Sequence, residues 1–496
     1  MRQICWKVLS FFLLLGAPVY GQATDRPNVL FIAIDDLNDW IGALNGHPQV
    51  KTPNIDRLAK MGVLFANAHT QATLCNPSRV SILTGLRPET TGIYNLAPHH
   101  RDVAITRDVV TLPQYFESQG YRTLSNGKIF HSIGTTPEKR AEFQEWGSIG
   151  GGTAGHPPQK LVGDTHMGNH PLLDWGVYPE TGDSVRNDYK VATWAEEKLA
   201  LLKEQSDRPF FLAVGFWLPH VPLFATRKWF DLYPEEEPLY LPPAPPDDRD
   251  DVPPFAWYLH WYLPEVRLSW LQEHHQWESK VRSYLATISF TDAQVGRVLD
   301  ALERNGLTEN TIVVLWSDHG FHLGEKGITG KNTLWERSTH VPLLFAGKGI
   351  PGGGVCRQPV ELLDIYPTLL ELAGLPEKSG LEGVSLVPQL QNPDTPRERP
   401  AITTHNPGNH SVRSLRWRYI RYADGSEELY DHLQDPHEHH NLAGRKAYRE
   451  IKEDHARWLR AKDAPHAPGS KHRKLEKKNG HWYWEEQLIV AEELIK

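Results

Sequence analysis

The 496-residue sequence predicts an α/β sandwich with a large mixed, mostly parallel sheet flanked by helices, and a smaller C-terminal α+β subdomain carrying an antiparallel sheet. Three observations carry that prediction. Uninterrupted apolar runs at Asn28–Ile34, Phe210–Val214, Thr311–Trp316 and Val341–Ala346 read as strands buried on both faces. Helix-period patterns separate them, at Ile55–Met61, Val191–Leu202, Val281–Leu302 and Val360–Leu372, and strands alternating with helices build parallel sheets. From Pro400 the pattern changes to short alternating segments at Ser411–Leu415, Trp417–Tyr422 and Glu428–Tyr430, then a helix from about Tyr448 to Lys462 and a charged tail.

Taken in order, the chain opens with Arg2 and Lys7, the apolar run Val8–Leu15 and a small-residue site at Val19–Gly21. That is the layout of a secretory signal peptide over residues 1–21. The run is shorter than the ~20 residues a membrane span needs, so an exported protein, periplasmic or secreted, with no membrane anchor is expected. The remainder divides into a main domain over 22–392 and a C-terminal subdomain with its tail over 393–496, linked by the Pro- and Asn-rich stretch Gln389–Pro400. Residues 234–278 begin rich in Pro and Asp, then carry Trp257, Tyr258, Trp261, Tyr262, Trp270 and Trp277. Such rings either stack on sugars or bury one another in an Ω-like loop.

Formal charge is -8, and -10 once Arg2 and Lys7 leave with the signal. This balance gives no support to a nucleic-acid or membrane-surface role, and an anionic substrate would need a local basic pocket. Cysteine is scarce: Cys5 lies in the signal, leaving Cys75 and Cys356, and one glycosylation sequon stands at Asn409–Ser411. Sparse sequons and cysteines point to a bacterial periplasmic or secreted enzyme rather than a lysosomal one.

Chemistry in such sheets collects beyond the carboxyl ends of the strands, and polar residues stand there. Asp35 and Asp36 follow the first run, His220 follows the second, and Asp318 and His319 follow the third. Adjacent carboxylates at a strand end either bind a divalent cation or cap the next turn. Oxygen-rich ligation suits a hard cation, while the imidazole keeps zinc open as the alternative.

The most specific pattern is Cys75-Asn-Pro-Ser-Arg79 followed by Leu83-Thr84-Gly85, a motif of eleven residues. It resembles the signature of type I sulfatases, most closely the iduronate-2-sulfatase-like branch with its bacterial polysaccharide sulfatases, judging by Gly127-Lys-Ile-Phe-His131 and Ser317-Asp-His-Gly320. The likeness covers roughly residues 26–445. It implies an alkaline-phosphatase-like fold and hydrolysis of sulfate monoesters on a sulfated, uronate-containing glycan. It further implies that a formylglycine-generating enzyme converts Cys75 to formylglycine, whose hydrated diol attacks sulfur. By the same resemblance Ca²⁺ is held by Asp35, Asp36, Asp318, His319 and an oxygen of the modified residue 75. Arg79 anchors the diol, Lys128 touches nucleophile and sulfate, and His131 takes the diol proton. His220 meets the bridging ester oxygen as general acid, and Lys331 is the second sulfate-binding lysine, with Lys326 a competitor for that role. Two other readings stay open: a phosphatase or phosphonate hydrolase on the same superfamily fold, which would want a second metal, and a non-catalytic glycan binder.

Overall fold

The computed structural model describes residues 26–490 except 153–155, 158, 180–181 and 206, so the predicted signal peptide lies outside the described residues. Eight strands form the main sheet: β1 (Asn28–Ile34), β2 (Gly62–Phe65), β3 (Arg122–Gly127), β4 (Glu145–Gly150), β5 (Phe210–Phe216), β6 (Thr311–Ser317), β7 (Leu343–Gly347) and β8 (Gly354–Cys356). Their order is β8-β2-β7-β6-β1-β5-β3-β4. Only β7 runs antiparallel to its neighbours, against β2 and β6. β1 sits centrally, with Ile32 opposite Val214 of β5 and Leu315 of β6.

The period-2 pleat sends alternate residues of β1 into two separate cores. Leu30, Ile32 and Ile34 pack with helices α1 (Pro53–Met61), α4 (Asn187–Glu204) and α5 (Trp277–Arg304). Val29, Phe31 and Ala33 pack with α2 (Cys75–Thr84), α3 (Leu112–Ser118) and α6 (Ile365–Leu372). Full burial on both faces explains why these strands read as unbroken apolar runs.

The expected helix over Val360–Leu372 is corrected. Val360–Glu361 pairs in parallel with Ala68–His69, and helix α6 begins only at Ile365. Glu361 is drawn off by Arg87 in a two-point ion pair of 2.7 and 2.5 Å, which holds the preceding backbone extended.

Beyond the main sheet, β9 (Ala401–Thr404), β10 (His410–Arg413), β11 (Trp417–Arg421) and β12 (Glu427–Asp431) form the antiparallel sheet. Helix α7 (Arg449–Ala456) ends earlier than Lys462 because the chain turns there to pack Trp458 and Leu459 on that sheet. The charged tail is folded as a meander of β13 (Leu475–Lys478), β14 (His481–Trp484) and β15 (Gln487–Leu488). Its Leu475, Trp484 and Ile489 join Phe255, Trp257 and Trp261 in one core, while Trp270 and Trp277 pack on the main-sheet core, so the aromatic stretch buries its rings against other segments as well as against one another. Tyr262 stays 50 % exposed. No helix of the described residues is long and apolar enough to cross a membrane.

Candidate active site

β1, β5 and β6 end side by side, and the residues that follow them converge. The Asp35 N–H donates to the Phe216 carbonyl (3.2 Å) and the Asp318 N–H to the Ile34 carbonyl (3.4 Å), carrying the ladder one step past the strands. In a continuing strand Asp35 and Asp36 would point to opposite faces. Asp36 instead turns into the left-handed region (φ 60°), which lets both carboxylates join one cluster.

Cys75 is the first residue of α2, where the free N–H groups of the opening turn favour a negative group. Ser78 ties this turn to the sheet by donating its hydroxyl to the Asp318 carbonyl (2.6 Å). Arg79 is fully buried and donates through Nε to Asp318 (2.7 Å), through Nη2 to Asp35 (3.3 Å), and through Nη1 to the carbonyls of Lys128 and Ile129. Its hydrogen bonds go to the carboxylates and to the backbone that carries Lys128, and none goes to the sulfur.

Three ionisable groups lie within 3.6 Å of Cys75 Sγ: His319 Nε2 at 3.3 Å, Lys331 Nζ at 3.4 Å and Lys128 Nζ at 3.6 Å. Lys128 also pairs with Asp35, and Lys331 with Asp36 at 2.6 Å. His131 faces the sulfur as a side-chain partner, and its Nδ1 is buried and unsatisfied. His220 places Nε2 3.9 Å from Asp36, with Nδ1 fixed by the Val221 carbonyl (2.7 Å). Lys326 goes elsewhere: its Nζ is held by Asp248 (2.6 Å) and the Glu438 carbonyl. Of the two competing lysines, Lys331 is the one at the cluster.

Burial alone would push the Cys75 thiol up, but Lys128, Lys331 and His319 hold it well below the usual thiol range. Burial likewise pulls His319 down, and Asp318 overrides it, raising the imidazole to about 9. Burial and Cys75 push Asp35 up, yet Lys128 and His220 leave it lowered, whereas burial dominates at Asp318 and raises it. The site is therefore a dense set of opposed charges at low exposure, where each is worth more than in water.

Ligand atoms of Asp35, Cys75, Asp318 and His319 lie within 4.8 Å of one another, as do those of Asp35, Asp36, Cys75 and His220. Asp36 Oδ2 is buried with no hydrogen-bond partner. Three unexposed carboxylates, one with an unsatisfied oxygen, fit a hard divalent cation.

Two contributors escaped the sequence reading. Trp217 lies under Lys128, with Nζ 4.2 Å from a ring centroid, and its place directly after β5 could have flagged it. Tyr284 donates to the Asp36 carbonyl (2.7 Å) and accepts from the Asn38 N–H (3.0 Å). It comes from the first third of α5, a helix buried nearly all round, where no period sets it apart.

Two family models match the chain: Sulfatase over residues 27–375, and N-sulphoglucosamine sulphohydrolase, C-terminal, over 324–464. A sulfatase of Formosa agariphila is 42% identical over 455 residues, covering 87% of this chain and 88% of the relative. Iduronate 2-sulfatase of Mus musculus is 34% identical over 419 residues, covering 75% and 74%. Among solved structures, the phosphonate monoester hydrolase of Silicibacter pomeroyi superposes with a TM-score of 0.70 at 23% identity, covering 87% of this chain and 94% of that one. That likeness bears on the fold, which is alkaline-phosphatase-like.

Proposed function

The chain belongs to the sulfatase family and is a sulfuric ester hydrolase, and from that premise we propose that it removes sulfate from a uronate-containing glycan after Cys75 has become formylglycine. The observation that carries this reading is Cys75 itself. It stands at a helix N-terminus, with two lysines and a histidine within 3.6 Å of its sulfur and unexposed carboxylates alongside. The iduronate named for the Mus musculus relative supports a uronate ring as the sugar.

Asp35, Asp36, Asp318 and His319 would hold Ca²⁺, together with an oxygen of the modified residue 75. The formylglycine diol supplies an oxygen nucleophile that no standard side chain offers, and the bound cation supplies charge for sulfate oxygens. Arg79 fixes Asp35 and Asp318 so that the ligand set keeps its shape before any ion arrives. Lys128 and Lys331 hold the sulfate oxygens, His131 takes a proton from the nucleophile, and His220 gives one to the leaving oxygen. Residues 1–21 direct export, and a formylglycine-generating enzyme acts on the Cys75–Arg79 motif during maturation. The main domain runs over 22–392 and the C-terminal subdomain over 393–496.

Mass spectrometry of the tryptic peptide carrying residue 75 tests the nucleophile. Formylglycine lowers the peptide mass by about 18 Da, whereas thiol oxidation only adds mass. Release of sulfate from a sulfated uronate disaccharide should need Ca²⁺, vanish in Cys75→Ala and fall on chelation. A ligand at about a hundredfold excess over its Kd also adds about 2.7 kcal/mol to stability, so chelation should lower the melting temperature. An unmodified thiol in active enzyme, or cleavage of a phosphonate monoester but of no sulfate ester, would overturn the reading.

A further inference from the structure

Three charged side chains near Cys75 take no part in the cluster described above. Glu265 is 5 % exposed, and its Oε2 has no hydrogen-bond partner. Its carboxyl group rests on Gly330, where an added Cβ would lie 2.4 Å from Glu265 Cδ, one residue before Lys331. Lys280 is 1 % exposed, with Nζ 4.6 Å from a Trp175 ring centroid. It stands one helical turn before Tyr284, whose hydroxyl meets the Asp36 carbonyl. Arg473 leads into β13, and its charge acts on both Glu265 and Cys75. Neither the Lys280 ammonium nor the Arg473 guanidinium has a hydrogen bond or ion pair among the described residues.

Arg473 is held in place by construction. Its backbone is left-handed (φ 81°), the Glu485 carboxylate accepts from its N–H, and Asn406 Nδ2 donates to its carbonyl (3.1 Å). Asn95 Nδ2 donates to Asn406 Oδ1 (3.3 Å), and Asn76 Nδ2 to the Asn95 carbonyl (2.8 Å). Three asparagines thus connect the Arg473 backbone to the residue next to Cys75. Residue 473 also lies past the end of both family matches, which stop at 375 and 464.

Resting on the sulfatase reading, we propose that Lys280, Arg473 and Glu265 form a second subsite, which binds the carboxylate of the uronate ring that carries the sulfate ester. Two mostly buried cations share one nearby buried carboxylate, Glu265, and despite its field burial has drawn Lys280 down to about 8 and lowered Arg473, so a further anion is favoured there. An anion on the ligand supplies that charge. The sulfate is already met by Lys128 and Lys331, so the extra charge must come from another group on the same sugar. A planar carboxylate suits the guanidinium fork, and the open Glu265 oxygen accepts from a ring hydroxyl.

The test uses full-length mature enzyme, wild type and Arg473→Gln, on three substrates: a sulfated uronate disaccharide, its carboxyl-reduced form, and a disulfated neutral hexosamine. The expected result is a fall of about 30-fold in the kcat/KM ratio of uronate to carboxyl-reduced substrate, carried by KM, as for a lost charge-assisted hydrogen bond. Lys280→Gln should lower the same ratio, and Arg473→Lys should recover part of it. An unchanged ratio, or equal losses on both substrates, overturns the proposal. A loss confined to the disulfated hexosamine gives the subsite to a second sulfate and overturns the carboxylate. If the wild type cleaves no sulfate ester, the sulfatase reading fails separately. Calorimetric titration with the desulfated uronate disaccharide then decides the subsite: weaker binding to Arg473→Gln supports it, and equal binding overturns it.

Discussion

Lys326 and Lys331 are five positions apart and do opposite work. Lys331 spends its charge on Asp36 and the Cys75 sulfur, while Lys326 neutralises Asp248, a carboxylate only 4 % exposed. Removing Lys326 leaves Asp248 buried and unpaired, so Lys326→Ala should cost about 3–5 kcal/mol in urea unfolding, with kcat/KM little changed. Lys331→Ala should lower kcat/KM by about 100- to 1000-fold, the size of a lost oxyanion-type contact. The reverse pattern would return the sulfate-binding role to Lys326. Sequence could not separate the two, because a loop of unfixed length stands between motif and site. Only the pairing of His322–Leu323 with Thr329–Gly330 decides which ammonium reaches the sulfur.

At the scale of elements, the loop carrying His220 is set by helix α4. Asp188, in its first turn, accepts from the N–H groups of Trp217 (2.8 Å) and Leu218 (2.9 Å). Burial raises this carboxyl to about 6, above the ~3.9 of an unfolded chain. The folded state therefore holds the proton more tightly, and this group's contribution to stability falls as pH rises from about 4 to about 6. Asp188→Asn cannot titrate. Wild type should lose stability relative to the variant across that window in parallel melting curves, and a flat difference would remove Asp188 from the account. The variant also loses one of two acceptors, so its kcat should fall several-fold through a loosened His220. Legibility followed burial: β1, β5 and β6 are apolar on both faces and are plain in sequence, as are the acids and histidines that follow them, whereas Trp217, directly after β5, is not. Nor is β3, because Arg122–Gly127 is mostly polar. Asn126 earns its buried place by accepting from the N–H groups of Gly127 (3.0 Å) and Ile149 (3.1 Å), a use that composition does not announce.

For the whole molecule, the last residues matter more than their charge suggests. The segment 471–486 carries Lys471, Lys474, Lys477, Lys478, Glu476, Glu485 and Glu486, which reads as a solvated tail. Yet Leu475 and Trp484 close one core with Trp257 and Trp261 of the 234–278 stretch, with Trp335, and with Tyr430 of the antiparallel sheet. Four segments distant in sequence thus meet in one apolar cluster. No local period reveals such a contact, because each segment supplies only one or two rings. Trp484 is 3 % exposed, so Trp484→Ala should cost about 3–5 kcal/mol, read from the shift in a denaturant midpoint. Glu485, which accepts from the Arg473 N–H, is the next residue along. Loosening Trp484 should therefore also lower the preference for uronate over carboxyl-reduced substrate, while sulfate release at the Cys75 centre persists. Loss of stability with selectivity intact would show that the meander supports the fold alone, and that Arg473 is held by Asn406 without help from β14.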